Sequence, residues 1–425
     1  MINELLSKLS ALDIRVSLKN ESELNIDAPK GSMTPDLVNE IRQQKTELIK
    51  HLLSHKGASG INIPKAEEKD FYNLSPAQRR MFFLNEISEN NISYNMVTSV
   101  ELNEEFELET LEDAIKEVIN RHESLRTSFR KVGGTTMQYI HDEVDFSIEV
   151  VDVPEKSYEQ VANTLIKPFD LEVPPLIRAF LVSHSQGKTL MVYVHHIITD
   201  GISLNLITKD LQLIMNGTKL GPLPIQYKDY AEYITSPEFE DRLAIMQSFW
   251  TKELADLSAP ADLPHDTARP AVKKDEGRSV KFFLTKAQKT GLKELAEKNN
   301  VTIFMTILSV FQVFISRLSG RNDTIVGVPM SGRFNIQLNQ IVGMFVNTLP
   351  YRASADLDKR FSEFLQENKT TALSVFENQQ YQFDDIINDL SLQRDASRNP
   401  LFDIVFDYSS RPDSSGFALS AEAAQ

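Results

Sequence analysis

The chain of 425 residues contains no cysteine. Disulfide bonds, thiolate zinc sites and a cysteine nucleophile are therefore excluded. Long apolar runs are also missing, because no stretch approaches the ~20 residues that a membrane-spanning helix needs, and no basic and apolar leader segment opens the chain. From these absences we expect a cytoplasmic protein without a membrane partner.

Positive charge is scarce. The chain has 45 Lys and Arg against 60 Asp and Glu, which gives a formal net charge of −15 at pH 7. Nucleic-acid binding depends on clustered Lys and Arg that neutralise phosphates, so this balance argues against DNA or RNA as a partner.

The common nucleotide, hydrolase and metal motifs are absent as well. The chain has neither a Gly-x-x-x-x-Gly-Lys phosphate loop nor a Gly-x-Gly-x-x-Gly turn after a strand, and it has no Gly-x-Ser-x-Gly elbow. No His-Glu-x-x-His helix supplies a pair of metal ligands. We therefore expect no bound nucleotide, no serine nucleophile and no metal.

The organisation of the chain changes twice near its start. Periodic apolar residues predict a helix over 2–12, a β-hairpin over 14–26 and a second helix that begins at Pro35. The pattern then gives way to small and charged residues, so we expect a domain over 1–54 and a linker over 55–70. From residue 71 onward, amphipathic helices alternate with short strands, which predicts a mixed α/β fold.

Helix starts are marked by capping residues. Ser75, Pro76 and Gln78 stand in the order of an N-cap, a first helical proline and a capping-box glutamine, which predicts a helix from Pro76. Thr110 is predicted to cap another helix, which should end near Arg121.

The most distinctive stretch is 195–201, which reads His-His-Ile-Ile-Thr-Asp-Gly. The segment 189–194 before it is apolar on both faces, as expected of a buried strand. A helix follows, with Ser203 as its predicted N-cap and Gly217 as its stop. Because side chains alternate along a strand, His195 and His196 point to opposite faces, and only one of them can enter a given pocket.

A histidine at the end of a buried strand is suited to proton transfer, because its pKa of about 6.5 lets it accept a proton near neutral pH. Two alternatives stay open for the residues alone. The imidazole can be an ordinary hydrogen-bonded core residue, or it can be a metal ligand, although neighbouring strand residues point apart.

The same residues resemble the His-His-x-x-x-Asp-Gly hallmark of condensation domains from nonribosomal peptide synthetases. Other motifs of that family have counterparts in the same order, at 74–84, 121–129, 227–231, 341–350, 379–384 and 394–402. The resemblance implies two chloramphenicol-acetyltransferase-like lobes in a V-shaped pseudo-dimer, with an N-lobe over 71–240 and a C-lobe over 241–425. Because such domains continue past the last motif, we expect that the C-lobe is truncated here.

The resemblance also implies roles for individual residues. His196 is expected beside the attacking amine of an acceptor aminoacyl thioester, as a base or as a positioning group. His195, Asp200 and Gly201 are expected to complete the catalytic motif, and Gly201 is expected to leave room for the turn and for close approach of a substrate. Asp200 is expected to be structural and to pair with Arg333. Further expectations are a substrate-contacting or tunnel-lining role for Asn347, Ser203 and Arg333, and buried ion pairs for Arg121, Glu123, Arg126 and Arg398.

Residues 1–54 resemble the β-hairpin docking domains of the TubC type, which implies a small ααββ fold. Its exposed hairpin edge is expected to pair with the C-terminal tail of an upstream synthetase subunit, through Arg15, Lys19 and Lys30. The further partners implied are donor and acceptor peptidyl carrier proteins, whose 4'-phosphopantetheine arms carry the substrates, and an adjacent adenylation domain. No cofactor is expected on the chain itself.

Two alternative functions remain at this point. An epimerisation domain shares the histidine motif and inverts an aminoacyl stereocentre, and a catalytically inactive docking scaffold needs no chemistry. Peptide-bond formation between carrier-bound thioesters is the preferred prediction. The N-terminal docking unit argues against an epimerisation domain, which is expected after a carrier protein, and the intact His196 and Asp200 argue against an inactive scaffold.

Overall fold

The computed structural model describes most of the chain, in two compact units. The described residues are 15–20, 23–27, 33, 35–45, 62–87, 92–102, 107–257, 263–271, 277–356, 358–392, 395, 397–408 and 418–419. One unit comprises 1–63 with 334–339, and the other comprises 64–333 with 340–425.

The N-terminal unit contains a β-hairpin and a helix, namely β1 (Arg15–Asn20), β2 (Glu23–Asp27) and α1 (Pro35–Gln43). The two strands are antiparallel, and Leu37 and Ile41, one helical turn apart, are buried. The predicted hairpin and the predicted helix start at Pro35 are therefore confirmed. The helix predicted over 2–12 lies outside the described residues.

The second unit alternates helices with strands. Its helices are α2 (Pro76–Ile87), α3 (Leu108–Arg121), α4 (Tyr158–Leu165), α5 (Gly201–Met215), α6 (Tyr227–Ile234), α7 (Pro237–Glu253), α8 (Lys286–Lys298), α9 (Ile303–Ser319), α10 (Phe361–Glu377) and α11 (Phe383–Asp389). Its strands are β3 (Tyr72–Asn73), β4 (Asn95–Leu102), β5 (Thr127–Val132), β6 (Thr135–Ile140), β7 (Ile148–Asp152), β8 (Ile177–His184), β9 (Gly187–His195), β10 (Asp323–Met330), β11 (Asn347–Ser354) and β12 (Ala418–Leu419).

Strand β9 lies at the centre of the largest sheet, whose order is β12-β4-β9-β8-β7. It pairs antiparallel with β4 on one side and with β8 on the other. Leu190, Met191, Tyr193 and Val194 are all buried, so side chains from both faces of the strand are covered. The prediction of a fully buried strand before the histidines is confirmed.

The two largest hydrophobic cores in the described part of this unit are built around different strands. The first surrounds the large sheet and includes Leu111 and Ile115 of α3. The second packs β10 and β11 against several helices and includes Trp250 of α7 and Val375 of α10. The lobe boundary predicted after residue 240 falls inside α7, whose C-terminal half belongs to the second core.

The segment 341–346, which leads into β11, returns to the first core. Val342 and Met344 are buried there, and Ser124 donates a hydrogen bond to the Val342 carbonyl at 2.7 Å. Tyr227 of α6 packs so closely on Gly343 that no side chain fits between them. The second half of the chain thus supplies part of the first core.

Two predicted helix caps have different outcomes. The capping box at the start of α2 is confirmed, because the Ser75 amide donates to Gln78 Oε1 at 3.0 Å and the Gln78 amide donates to Ser75 Oγ at 3.1 Å. The prediction that Thr110 caps α3 is wrong. The helix begins at Leu108, whose side chain packs on the first core, and this contact extends the helix past Thr110.

The predicted linker contains neither helix nor strand where it is described, over 62–70. Its second half is bound to α6: the Ala66 amide donates to Asp229 at 2.9 Å, and Lys69 forms an ion pair with Glu232 at 2.8 Å. This stretch is therefore part of the second unit.

In the part of the chain that the structure describes, no single helix is long and apolar enough to cross a membrane. Only α8 and α9 taken together meet that length and composition, and they are bent by 105°.

The close contact between Gly343 and Tyr227 predicts that a side chain at position 343 destabilises the protein. A Cβ added at Gly343 would lie 1.8 Å from Tyr227 Cδ2, so Gly343→Ala is expected to destabilise the protein by about 3 kcal/mol in urea unfolding. Gly291 is the matched control, because it lies in α8 with open space around it. There Gly→Ala should stabilise by about 0.5–1 kcal/mol. Equal effects of the two substitutions would contradict the packing described.

Candidate active site

The histidine motif forms a strand, a turn and a helix. His195 is the last residue of β9, residues His196–Ile198 form a 3₁₀ turn, and α5 starts at Gly201. The two histidines therefore differ in burial: His195 is fully buried, whereas His196 is partly exposed.

His195 is held as a neutral side chain. Its Nδ1 accepts a hydrogen bond from the Ile197 amide at 3.1 Å, so the ring proton must be on Nε2. Burial lowers the pKa of His195 to about 4, with a smaller contribution from neighbouring His196. A neutral, buried ring that shapes the turn is a structural group and does not itself reach a substrate.

His196 has the opposite arrangement. Its Nδ1 lies 2.8 Å from the Thr199 carbonyl oxygen, which can only accept, so Nδ1 carries the proton and Nε2 carries the lone pair. The His196 amide is anchored on the Tyr94 carbonyl at 2.8 Å. The backbone thus presents Nε2 as a hydrogen-bond and proton acceptor on the partly exposed side of the ring.

Asp200 is the N-cap of α5, and its buried carboxylate also forms an ion pair. Its Oδ1 accepts from the Ser203 amide at 2.7 Å, and Arg333 lies 3.2 Å away. The Phe345 amide donates to Oδ2 at 3.4 Å. The predicted pairing of Asp200 with Arg333 is therefore present.

Ser203 is not the helix cap, contrary to prediction. Its hydroxyl accepts a hydrogen bond from the Gly343 amide and donates one to the Gly343 carbonyl, both at 3.0 Å. The hydroxyl also accepts a hydrogen bond from Arg333 at 2.9 Å. Because these long-range partners occupy the hydroxyl, Asp200 takes the cap position. The buried Ser203 joins α5 to the segment 341–346.

Arg333 completes this polar cluster. Its side chain is 3% exposed, it donates to the Ile341 carbonyl at 2.7 Å, and its guanidinium lies 4.1 Å from the centroid of the Phe345 ring. Arg333 and Asp200 together fix the helix start against the second half of the chain.

Gly201 leaves open space at the start of α5, whereas Asn347 is held by the backbone. Gly201 has no left-handed backbone, so the turn does not require glycine, but a Cβ there would meet nothing within 4 Å, which leaves the space open. Asn347 is buried, and its amide nitrogen donates to the carbonyls of Gln379 and Tyr381 at 3.0 and 2.8 Å. Its oxygen accepts from the Phe383 amide. These bonds occupy both of its donors and make it a link between β11 and α11, not a group free to contact substrate.

The motif ion pairs are present as predicted. Arg121 pairs with Asp210 at 2.9 Å, Glu123 pairs with Lys228 at 3.0 Å, and Arg398 pairs with Asp403. Arg126 lies 3.7 Å from Glu123. All of these side chains are mostly buried, which suits a structural role.

Sequence reasoning missed Tyr227 as a component of the site. Its hydroxyl donates to the Met344 carbonyl and lies 2.8 Å from Ser75 Oγ, so it links the cap of α2 to the segment 341–346. The signal available in the sequence was weak, since a tyrosine at a helix start and a distant glycine give no sign of contact.

The docking residues are described only in part. Arg15 and Lys19 lie in β1, of which the structure describes the backbone, and Lys30 lies outside the described residues. Their contribution to docking stays a prediction. Over the described residues, no group of three His, Asp or Glu side chains is placed to hold a metal ion.

Two protein families match the chain. Residues 68–424 match the family described as Condensation domain, and residues 2–53 match the family described as TubC N-terminal docking domain.

Long peptide synthetases contain similar sequences. Bacitracin synthase 3 from Bacillus licheniformis is 37% identical over 94% of this chain and 6% of its own length. Gramicidin S synthase 2 from Aneurinibacillus migulanus is 39% identical over 81% of this chain and 8% of its own length. The chain thus spans a small part of these relatives.

Solved structures share the fold. The EpoB cyclization-docking bidomain of a nonribosomal peptide synthetase from Sorangium cellulosum matches with a TM-score of 0.69 and 21% identity, over 98% of this chain and 85% of that chain. The X-domain from teicoplanin biosynthesis matches with a TM-score of 0.71 and 23% identity, over 81% of this chain and 79% of that chain. The fold class implied by the resemblance is confirmed.

The buried ion pair makes a prediction about stability. Asp200→Asn keeps a capping oxygen but leaves the Arg333 guanidinium buried without its counter-charge, so we expect urea unfolding to show a loss of about 3–5 kcal/mol. Adding Arg333→Met, which can pack on the Phe345 ring, should restore at least half of that loss. Removing the exposed pair of Lys359 through Glu367→Ala should cost under about 1 kcal/mol. If single and double variants were equally unstable, the lone charge would not be the cause.

Proposed function

Because this chain belongs to the condensation-domain family of nonribosomal peptide synthetases and carries a TubC-type docking domain at its N-terminus, we propose that it is an acyltransferase that forms a peptide bond. Its donor is an acyl or peptidyl thioester and its acceptor is an aminoacyl thioester, each on a carrier protein. The observation that carries this proposal is the Nε2 lone pair of His196, held by backbone contacts on the partly exposed side of the ring.

Amide formation needs one group that accepts the proton of the attacking amine, and Nε2 of His196 is placed to do so. The acceptor amine attacks the donor thioester carbonyl, a C–N bond forms, the C–S bond breaks, and the amine proton finally reaches the departing sulfur. Nε2 of His196 accepts a hydrogen bond from the amine and takes its proton as the C–N bond forms. A thioester is already activated, so holding the two reactants together supplies up to about 7–11 kcal/mol of the barrier.

The other motif residues support His196. Asp200 and Arg333 fix the start of α5 directly after the turn that carries it, and the open space at Gly201 allows close approach of a substrate. The substrates arrive on the 4'-phosphopantetheine arms of partner carrier proteins, so the chain binds no cofactor of its own.

The partners follow from the same family membership. We infer that donor and acceptor carrier proteins and an adjacent adenylation domain act with this domain, and that the hairpin of β1 and β2 receives the tail of an upstream subunit. A two-stranded hairpin offers main-chain groups to an added strand, and basic side chains would select an acidic tail. The cytoplasmic location stays a prediction.

Loaded carrier proteins test the catalytic role. With donor and acceptor carriers and product detection by mass spectrometry, His196→Ala is expected to lower the rate of amide formation at least about 100-fold with an unchanged melting temperature. His184→Gln is the matched control, because His184 lies at the opposite end of the hairpin of β8 and β9, and it should retain full rate.

Other results would reject the proposal. Absence of amide product from the wild-type chain would favour the inactive scaffold, and stereochemical inversion of the acceptor without amide formation would favour an epimerisation domain.

Charge reversal tests docking in the full chain. Arg15→Glu, Lys19→Glu and Lys30→Glu together should weaken binding of a synthetic peptide that carries the acidic tail of the upstream subunit, at least about 10-fold in fluorescence anisotropy. The control reverses three exposed lysines of α8, Lys286, Lys289 and Lys293, and so changes the net charge equally. Equal losses in both variants would show non-specific attraction and contradict a docking role of the three residues.

A further inference from the structure

The start of strand β4 faces the buried histidine of the motif. Asn95 is the first residue of β4, and it is the register partner of His195, the last residue of β9. Side chains of directly paired residues in antiparallel strands lie on the same face of the sheet and close together. Asn95 and His195 are therefore neighbours, although 100 positions separate them in the sequence.

Both side chains also lie against one short segment, 167–169. Asn95 Nδ2 donates to the Lys167 carbonyl at 2.9 Å, and the His195 ring stands edge-on to Phe169, with 6.1 Å between the ring centroids. Two residues before His195 on the same face, Tyr193 also packs on Phe169, at 5.2 Å. These contacts hold the amide of Asn95 and the imidazole of His195 in a common small space.

Each of the two side chains has one buried polar atom without a partner among the described residues, namely Asn95 Oδ1 and His195 Nε2. The two atoms are complementary. Asn95 Oδ1 is an acceptor, because the other end of the amide already donates to a carbonyl, and His195 Nε2 is a donor, because Nδ1 accepts from Ile197. Leaving both unsatisfied would be costly in a buried site.

The charged group on this face is otherwise engaged. Arg178 lies over Phe169 at 4.8 Å and donates to the Tyr193 hydroxyl at 3.1 Å. The Lys167 amide also donates to that hydroxyl, at 3.4 Å. Arg178 therefore stacks on Phe169 and donates to Tyr193. Because a guanidinium has only hydrogen-bond donors, Arg178 cannot accept the proton on His195 Nε2.

We propose that Asn95 is a positioning residue that acts through His195, with one buried water molecule bridging Asn95 Oδ1 and His195 Nε2. The two atoms do not bond directly, and a water between them accepts from Nε2 and donates to Oδ1. This inference rests on the proposed role of His196.

The consequence for the site follows from the tautomer. With its proton held on Nε2, His195 offers the Nδ1 lone pair to the Ile197 amide, which lies in the same 3₁₀ turn as His196. In the other tautomer Nδ1–H of His195 would face the Ile197 N–H, so the hydrogen bond that holds the turn would be lost. Asn95 thus fixes the direction of His196 from a neighbouring strand without touching the substrate.

Spectra of the full chain labelled with ¹⁵N-histidine test the tautomer directly. The His195 signal is identified as the one lost in His195→Asn. We expect the Nε2-protonated tautomer in the wild type, and in Asn95→Leu at least about 10-fold faster exchange of that proton, or a visible second tautomer. Asn95→Asp keeps an acceptor, so it should keep the tautomer and raise the pKa of His195 by at least about one unit above its value of about 4.

Kinetic measurements with loaded carrier proteins test whether Asn95 affects amide formation. Asn95→Leu should lower kcat about 10-fold with the acceptor KM unchanged, and Asn95→Asp should remain within about 3-fold of wild type. The control is Thr98→Val, a polar-to-apolar change on the opposite face of β4, paired with Val192, which should alter neither the spectrum nor the rate.

A His195 signal that is superimposable in Asn95→Leu and wild type would overturn the proposal, because the proton on Nε2 would then be held without Asn95. If the wild-type chain forms no amide bond, the proposed function fails, whereas the spectra still decide whether Asn95 fixes the tautomer of His195.

Discussion

The arrangement of the site depends on one buried ion pair, Asp200 with Arg333. Neither side chain is appreciably exposed, and a buried pair of this kind is favourable only when further hydrogen bonds satisfy both charges. Here the carboxylate of Asp200 also caps α5 and accepts a hydrogen bond from the Phe345 amide. The guanidinium of Arg333 also donates to the Ser203 hydroxyl and to the Ile341 carbonyl. A single contact therefore fixes the helix start, the preceding turn and the segment that leads into β11.

The paired histidines show how one residue type performs two tasks at adjacent positions. His195 ends the buried strand and accepts a hydrogen bond from the Ile197 amide on Nδ1, whereas His196 donates from Nδ1 to the Thr199 carbonyl, which leaves the lone pair on Nε2. In both rings Nδ1 bonds to a backbone group, and neither of these bonds involves a charged neighbour. The two imidazoles of the motif therefore differ in both tautomer and burial, since only that of His196 is partly exposed.

Local features of the chain were predictable and long-range ones were not. The buried strand β9 and the capping box of Ser75 and Gln78 depend on neighbours within a few residues, and both were predicted. Ser203 was assigned the cap of α5 because nothing in the sequence shows that Gly343, 140 positions away, occupies its hydroxyl. Asn347 was expected to line a tunnel, yet its amide is taken by the backbone around Tyr381. The pairing of Asp200 with Arg333, 133 positions away, was expected only from the resemblance to the family, because residue types alone do not show which arginine meets a given carboxylate.

The return of segment 341–346 to the first core has a consequence for biosynthesis. Ser124 and Val342, which bond across 218 positions, cannot meet until the ribosome has made both. At 5–20 residues per second, roughly 6 to 26 s pass between the synthesis of Met215, which ends α5, and that of Met344. During this time the apolar surface that segment 341–346 covers in the folded protein stays exposed. Such a chain is exposed to aggregation during synthesis and gains from chaperones that bind nascent polypeptide.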